Sequence, residues 1–168
     1  TLGNPTLNNL VISANTAGNA GGGIYNDRSN ASLTNIAVRG NQTPGYNHGG
    51  GMFNHLGSPT LSNVLFSGNQ AYYCAGLYTD GGTPSLINVT FGGNRSDNYP
   101  TMHVAGGAPT LVNTIFWGNN NTIGFSSDGT ATVTYSIVQR GYTGEGNLDV
   151  DPLFMEVRPY STAPTTAG

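Results

Sequence analysis

Carboxylates and imidazoles are the side chains of this sequence that could do acid–base or metal chemistry. The chain has 8 Asp and Glu, 3 His and a single Cys. Asp27, His55 and Asp80 each stand two residues after an aromatic residue, behind a turn that contains Gly. In a repeating fold the three would form a column, with His55 between two carboxylates and Arg28 alongside. Such a column could transfer protons or hold a cation, or it could be a weak, solvent-exposed ion pair.

Tyrosines form the second candidate site. Tyr46, Tyr72, Tyr73 and Tyr99 lie three to five residues after an Asn that recurs along the chain, in the segments whose length varies most. Exposed aromatic rings on one flank of a fold can stack on sugars or anchor a protein partner. Local packing over a glycine-rich turn is the favoured interpretation of this pattern, and a ligand-binding flank for a glycan or a surface protein is the alternative.

Two further sets of residues recur at equivalent places. One set, expected to cover the edge of the core, is Tyr25, Phe53, Tyr78 and His103. The other is an outward-facing hydroxyl series made of Thr6, Ser32, Thr60, Ser85, Thr110 and Thr132. Flat Thr arrays on β-helices occur in ice-binding proteins, but the neighbouring positions here do not continue a regular Thr-x-Thr lattice. Because Thr also favours strands, ordinary strand residues are the favoured interpretation.

An Asn-containing repeat sets the positions of all these residues. The segments read Leu-x-Asn-x-x-apolar-x-x-Asn, and both Asn positions recur at steps of 26, 28, 25 and 25 residues. The first position holds Asn9, Asn35, Asn63, Asn88 and Asn113. The second position holds Asn15, Asn41, Asn69, Asn94 and Asn119. A degraded sixth copy has Tyr135 and Gly141 in these places, which suggests that the array ends there.

The repeat predicts an all-β fold, a parallel β-helix or solenoid of about six coils with 22 to 28 residues per coil. Each coil supplies short runs of Leu, Ile, Val, Phe and Thr bounded by Gly, Asn, Pro or Ser, and no helical stretch. The spacing of its apolar residues predicts a bend at the first Asn, a residue type that tolerates the left-handed conformation. Because stacked Asn side chains can hydrogen-bond from coil to coil, we expect two structural Asn ladders.

A leucine-rich repeat is the alternative solenoid, because the segment Leu7-x-x-Leu10-x-Ile12-x-x-Asn15 satisfies its consensus. The rest of each unit argues against it. Residues 16–23 and 42–51 are rich in Gly, Asn, Pro and Thr, whereas the leucine-rich unit usually continues with a helical segment. Hexapeptide and calcium-binding nonapeptide β-helices do not fit the period.

Two short motifs resemble those of a known family. Ile12-x-x-Asn15 and Phe66-x-x-Asn69 resemble a Phe-x-x-Asn motif, and Gly22-Gly23-Ile24-Tyr25 resembles a Gly-Gly-Ala-apolar motif. Both are similar to the repeats of polymorphic outer-membrane proteins and related bacterial surface proteins. The resemblance covers about residues 4–154, up to a closing Asp-Pro-Leu-Phe, and implies a right-handed parallel β-helix. It implies little about function, since that family mixes adhesins and surface coats.

Composition excludes several classes of protein. Charged residues make up 8% of the chain, with no Lys, and the net charge is −3. We expect no nucleic-acid partner, because clustered cations are needed to displace phosphate counterions. No apolar run approaches the length that spans a bilayer, so we expect no membrane insertion in this segment. Cys74 stands where neighbouring repeats have Gly, and we expect it to be buried and inert.

The organisation expected from the sequence is one β-helix domain over residues 1–154 and a Pro/Thr/Ala-rich tail or linker over residues 155–168. The expected function is that of a non-enzymatic, extracellular or cell-surface segment of a bacterial surface protein, either structural or adhesive. Head-to-tail self-association through open coil ends is a candidate interaction. The alternative function is carbohydrate binding or polysaccharide degradation through the tyrosines. We expect no catalytic residue, metal or cofactor.

Overall fold

The computed structural model describes residues 3–126 and 128–155, and the strands in these ranges form a solenoid. Its strands, in chain order, are β1 (Thr6–Ser13), β2 (Ile24–Asp27), β3 (Ser32–Arg39), β4 (Gln42–His48), β5 (Met52–His55), β6 (Thr60–Ser67), β7 (Gln70–Tyr73), β8 (Leu77–Asp80), β9 (Ser85–Ile87), β10 (Thr90–Gly92), β11 (Arg95–Ser96), β12 (Met102–Gly106), β13 (Thr110–Val112), β14 (Ile115–Trp117), β15 (Ile123–Phe125), β16 (Thr132–Thr134) and β17 (Ile137–Val138). The described ranges contain no helix, in agreement with the predicted all-β class. The predicted tail lies outside them, except for Met155.

The strands pair in parallel into three sheets around one core. The large sheet contains β1, β3, β6, β9, β10, β13, β14, β16 and β17; the flank sheet contains β4, β7 and β11; the back sheet contains β2, β5, β8, β12 and β15. Each strand pairs with its equivalent one coil later, which confirms the parallel solenoid. The predicted number of about six coils is slightly too high. The equivalent strands of the large sheet are in register at six positions, residues 6, 32, 60, 85, 110 and 132. One turn of the solenoid lies between each position and the next, so the six positions correspond to about five turns.

Like side chains form continuous columns through the core. One column of the large sheet is Leu33, Leu61, Leu86, Leu111 and Val133, each at most 2% exposed. In another, the ring centroids of Phe66 and Phe91 lie 4.9 Å apart and those of Phe91 and Phe116 lie 4.4 Å apart, with nearly parallel planes. Burial of each such side chain stabilises the fold by about 1.5–3 kcal/mol. Leu10, in the first coil, is 41% exposed, whereas Ile36, its partner in the next coil, is buried.

The first Asn of each repeat bends the large sheet, as its spacing predicted. The φ angles are 54°, 55°, 55°, 56° and 53° at Asn9, Asn35, Asn63, Asn88 and Asn113. These side chains lie on the outside. Asn35 Nδ2 donates to Asn9 Oδ1, Asn63 Nδ2 to Asn35 Oδ1, and Asn88 Nδ2 to Asn63 Oδ1, each at 3.1 Å. The first Asn ladder is therefore confirmed from Asn9 to Asn88, and it is solvent-exposed.

The second Asn ladder is confirmed as well, and its central members are completely buried. Asn41, Asn69 and Asn94 are 0% exposed. The Nδ2 of each donates to the Oδ1 of the next Asn along the axis, at 3.1, 2.9 and 3.0 Å, the last acceptor being Asn119. Each Oδ1 also accepts the backbone N–H of the preceding Asn. The ladder thus satisfies backbone groups that the corner between the large sheet and the flank sheet would otherwise leave unpaired.

The chain closes its own last coil. Tyr135 N–H donates to Glu145 O at 2.8 Å, and Val138 N–H donates to Leu148 O at 2.9 Å. Asn147 accepts the N–H of Ser136 at 3.0 Å and donates to the carbonyl of Val133 at 2.9 Å, the same two roles that the buried Asn ladder plays. Asn147 was not predicted, because it lies outside the repeat spacing.

Candidate functional site

The back sheet carries a column of stacked rings on its outer surface. Tyr25, Phe53, Tyr78 and His103 are in register on β2, β5, β8 and β12. Successive ring centroids are 5.4, 5.1 and 5.3 Å apart, and successive planes differ by 1°, 9° and 25°. Rings stacked face to face along the axis leave mainly their edges to solvent. The rings of this column therefore pack on one another on the outer face of the back sheet, outside the hydrophobic core cluster.

Asp27, His55 and Asp80 meet beside that column. His55 Nδ1 lies 2.7 Å from Asp27 Oδ1, and His55 Nε2 lies 3.9 Å from Asp80 Oδ2. Arg28 Nη1 is 4.0 Å from Asp27 Oδ2. The side chains of Asp27 and Asp80 are 42% and 50% exposed, so water screens these interactions and they contribute little free energy. The exposure favours the ion-pair interpretation over a catalytic or metal site.

The four predicted tyrosines come together on the neighbouring flank, and we call Tyr46, Tyr72, Tyr73 and Tyr99 the tyrosine flank. Ring centroids are 4.6 Å apart for Tyr46 and Tyr72, 4.6 Å for Tyr72 and Tyr73, and 4.9 Å for Tyr73 and Tyr99. The planes are nearly perpendicular, at 73°, 89° and 85°. In an edge-to-face pair, the ring that contributes its edge has both of its faces directed away from its partner. The tyrosine flank can therefore offer ring faces, which the stacked column cannot.

His48 and His103 join the tyrosine flank to the stacked column. The His48 ring lies 4.8 Å from that of Tyr73 and 4.4 Å from that of Tyr78. The Tyr99 ring lies 4.7 Å from that of His103. One continuous aromatic wall therefore covers the flank and the back sheet. The sequence predicted its two parts separately.

Both histidines in the wall are held neutral by their surroundings. Burial lowers the pKa of His48, opposed by the charge of Asp80. Burial also lowers the pKa of His103, and His48 adds to the effect. The Nδ1 atoms of both are buried without a hydrogen-bond partner among the described residues. A protonated imidazole would have to leave this environment or bring water into it.

A groove of about 330 Å³ opens on the outer face of the flank sheet, and we call it the flank groove. Its lining consists of Gln42, Thr43, Pro44, Gly45, Tyr46, Gln70, Ala71, Tyr72 and Asp97. Tyr46 is 74% exposed. Aromatic side chains combined with a few polar groups are typical of small-molecule sites. Of the tyrosine flank, Tyr46 and Tyr72 line this groove, whereas Tyr73 and Tyr99 pack on the histidines.

The loop that carries Tyr46 is fixed by an amide clamp. Asn47 Nδ2 donates to Pro44 O at 2.6 Å and to Gly18 O of the preceding coil at 3.1 Å. Gly45 has φ of 77°, a conformation that favours Gly. The pairing of β4 with β7 shifts register between Thr43 and His48, so the loop is an insertion within the strand. The clamp limits the orientations of Tyr46 before any ligand binds.

A third polar ladder, which the repeat spacing did not reveal, stiffens the back sheet from inside. Asn26 Nδ2 donates to Asn54 Oδ1 at 2.7 Å, and Asn54 Nδ2 donates to Thr79 Oγ1 at 3.0 Å. All three side chains are buried. Because the third member is Thr, a search for recurring Asn misses this ladder. Its three members lie at the same distance from the preceding glycine-rich turn, and that common spacing could have revealed it.

Cys74 is buried, as expected. It has φ of 56°, and its pairing places it level with Gly49 of the preceding coil. Its Sγ donates to Thr101 O at 3.1 Å, and burial raises the pKa of the thiol far above its usual range. The buried thiol is therefore a packing residue of the turn.

Residues 3–126 and 128–155 include no group of three or more His, Cys, Asp or Glu side chains arranged to hold a metal ion. The same part of the chain has no helix long and apolar enough to cross a membrane. Comparisons of the chain with protein-family models, with curated proteins and with solved structures find no match.

Proposed function

We propose that this chain is a non-enzymatic adhesive segment that binds carbohydrate through the tyrosine flank. The supporting observation is the flank groove, in which Tyr46 and Tyr72 stand beside amide and carboxylate groups. Aromatic faces bind the apolar C–H surfaces of a sugar, while amides and carboxylates bind its hydroxyls. The Asn ladders and stacked rings hold the groove on a rigid support, which lowers the entropy cost of binding.

An extracellular location on a bacterial surface is part of the same proposal. It rests on the motifs that resemble polymorphic outer-membrane protein repeats, such as Phe66-x-x-Asn69, and on the low charge of the chain. Adhesion to glycans suits such a location. Polysaccharide degradation is the enzymatic alternative, and its candidate residue is His55. Release of reducing ends from a polysaccharide by the wild type, lost in His55→Ala, would favour the enzyme over the adhesin.

The binding proposal is tested with a glycan array, followed by titration calorimetry on any ligand found. We expect Tyr46→Ala and Tyr72→Ala each to weaken binding by about 30-fold or more, since truncation of a tyrosine that is a binding hot spot costs about 2 kcal/mol or more. Tyr25→Ala is the matched control, because Tyr25 is 55% exposed but lies on the back sheet, outside the groove. Equal losses in all three variants, or no glycan bound by the wild type, would contradict the proposal.

Head-to-tail self-association remains a second proposal. Among the described strands β1 pairs with β3 alone, so its other edge offers backbone groups to a further strand. The opposite end is partly paired by residues 145–148. Light scattering over a wide concentration range tests the proposal, and a monomer at the highest concentration would refute it.

A further inference from the structure

The flank groove has one ionised side chain in its lining, the carboxylate of Asp97, beside the amide oxygen of Gln42, and we infer that it selects uncharged sugar units over acidic ones. This inference rests on the proposed carbohydrate binding and adds the ligand class. A ligand that complements acceptors must donate hydrogen bonds, as the hydroxyls of a neutral sugar do. A uronate or sulfate group brings further acceptors and a negative charge.

The orientation of Gln42 supplies the first acceptor. Gln42 Nε2 donates to Thr16 Oγ1 of the preceding coil at 2.9 Å. With its amide nitrogen held by that bond, the Oε1 atom is the end of the side chain left to accept from a ligand. Gln42 is exposed on β4 and lines the groove, so a ligand can reach it.

The carboxylate of Asp97 supplies the second acceptor. Asp97 N–H donates to Ala71 O at 3.2 Å, which holds the residue against β7. Arg95 Nε lies 3.4 Å from Asp97 Oδ1, and the Asp97 side chain is 44% exposed. The ion pair steadies one carboxylate oxygen, so Oδ2 remains able to accept from a sugar hydroxyl. Hydrogen bonds to a charged group are stronger than those between neutral groups.

Tyr72 adds no charge to the groove at neutral pH. Burial, with contributions from Tyr73, Tyr46 and Asp97, raises the pKa of Tyr72, so the phenol stays protonated. The volume of about 330 Å³ is near the small end of ligand sites, about 300–1,000 Å³. The groove therefore suits a short stretch of sugar units.

Electrostatics acts in the same direction as hydrogen bonding. The chain has a net charge of −3, and Asp97 is the ionised group in the lining of the groove. Arg95, which pairs with Asp97 and partly offsets its charge, does not line the groove. A uronate bound there would have its carboxylate close to that of Asp97. Like charges at short range repel, and salt weakens the repulsion. Selection against acidic sugars should consequently decrease as ionic strength rises.

The test is calorimetric titration of the full chain with hexasaccharides of glucose, xylose and mannose, and with the hexasaccharide of galacturonate as the acidic probe. We expect the best neutral ligand to bind at least about tenfold more tightly than the acidic one at low salt. Asp97→Asn should reduce this ratio by about threefold, because the amide keeps the size and removes a charge that is 44% exposed and therefore partly screened. Asp128→Asn, an exposed acid outside the groove, should leave the ratio unchanged.

The outcomes separate the inference from the function on which it rests. Tightest binding of the acidic ligand, or a ratio that Asp97→Asn leaves unchanged, would overturn the selectivity while carbohydrate binding stands. Binding of none of the ligands on the array would overturn both. Asn47→Ala adds a readout of positioning. This substitution should weaken the binding of every sugar by a similar factor and leave the ratio of neutral to acidic affinity unchanged. The reason is that Asn47 orders the Tyr46 loop but does not line the groove.

Discussion

The buried Asn ladder should contribute a large share of the stability of the fold, and Asn69→Ala tests this directly. Asn69 Oδ1 accepts from Asn41 N and Asn41 Nδ2 at 3.0 and 3.1 Å, and its Nδ2 donates to Val38 O and Asn94 Oδ1, both at 2.9 Å. The residue is 0% exposed, so water cannot replace these bonds without entering the core.

The expected magnitude follows from the groups that Asn69→Ala leaves unpaired. The N–H of Asn41 and the carbonyl of Val38 both lose their partner in the side chain of Asn69. Each buried, unpaired backbone group costs about 1–3 kcal/mol, so the total is about 2–6 kcal/mol. A domain of this size is typically stable by about 5–15 kcal/mol, so the loss is easily measured.

The assay is urea unfolding followed by circular dichroism, with the free energy of unfolding extrapolated to water. Asn63→Gly is the matched control. Asn63 has φ of 55°, which Gly also adopts, and its exposed ladder bonds can be replaced by water. We expect this control to lose about 1 kcal/mol or less. A free-energy loss for Asn69→Ala that equals the loss for Asn63→Gly would refute the reasoning.

A graded series keeps the test decisive if Asn69→Ala does not fold. Asn119 is 9% exposed and Asn15 is exposed, although both occupy the same ladder. The loss of unfolding free energy on substitution by Ala should decrease in the order Asn69, Asn119, Asn15. The same loss at all three positions would contradict a role for burial.

Two further predictions concern the aromatic wall and the turn beneath it. Lowering the pH from neutrality should destabilise the fold. The pKa values of His48 and His103 in the folded state lie below the unfolded value of about 6.5. As the pH falls from about 6.5 to the folded-state pKa values, the unfolded chain therefore binds more protons than the folded chain, and the free energy of unfolding decreases. Urea unfolding of His48→Phe/His103→Phe should show a weaker pH dependence over that range, and an unchanged dependence would contradict this account. Cys74 should resist a thiol reagent in the native state and react once denaturant is added, because the thiol is buried and its pKa is raised; rapid native-state labelling would show that the turn opens freely.

Features that repeat along the chain could be predicted from the sequence for a physical reason. Parallel strands stack like residues of successive coils at a fixed spacing, so a sequence period translates directly into neighbours along the axis. The φ angles near 55° at Asn9 and Asn35, and the ladders that follow, are consequences of that rule. The meeting of Asp27 with His55 followed from the same rule.

Contacts around the circumference of a coil required the tertiary structure. His48 meets Tyr73 and Tyr78 because a loop of irregular length ends where two sheets meet, and no period in the sequence encodes that distance. The flank groove also depends on the register shift after Thr43 and on the clamp made by Asn47.

The sequence by itself determined the parallel solenoid, its two Asn ladders and the columns of its core, because each depends on one translation repeated coil after coil. Only the tertiary structure decided which tyrosines line a groove and which pack on histidines. That outcome depends on how side chains from different strands turn toward one another around the coil, where the repeat imposes no constraint.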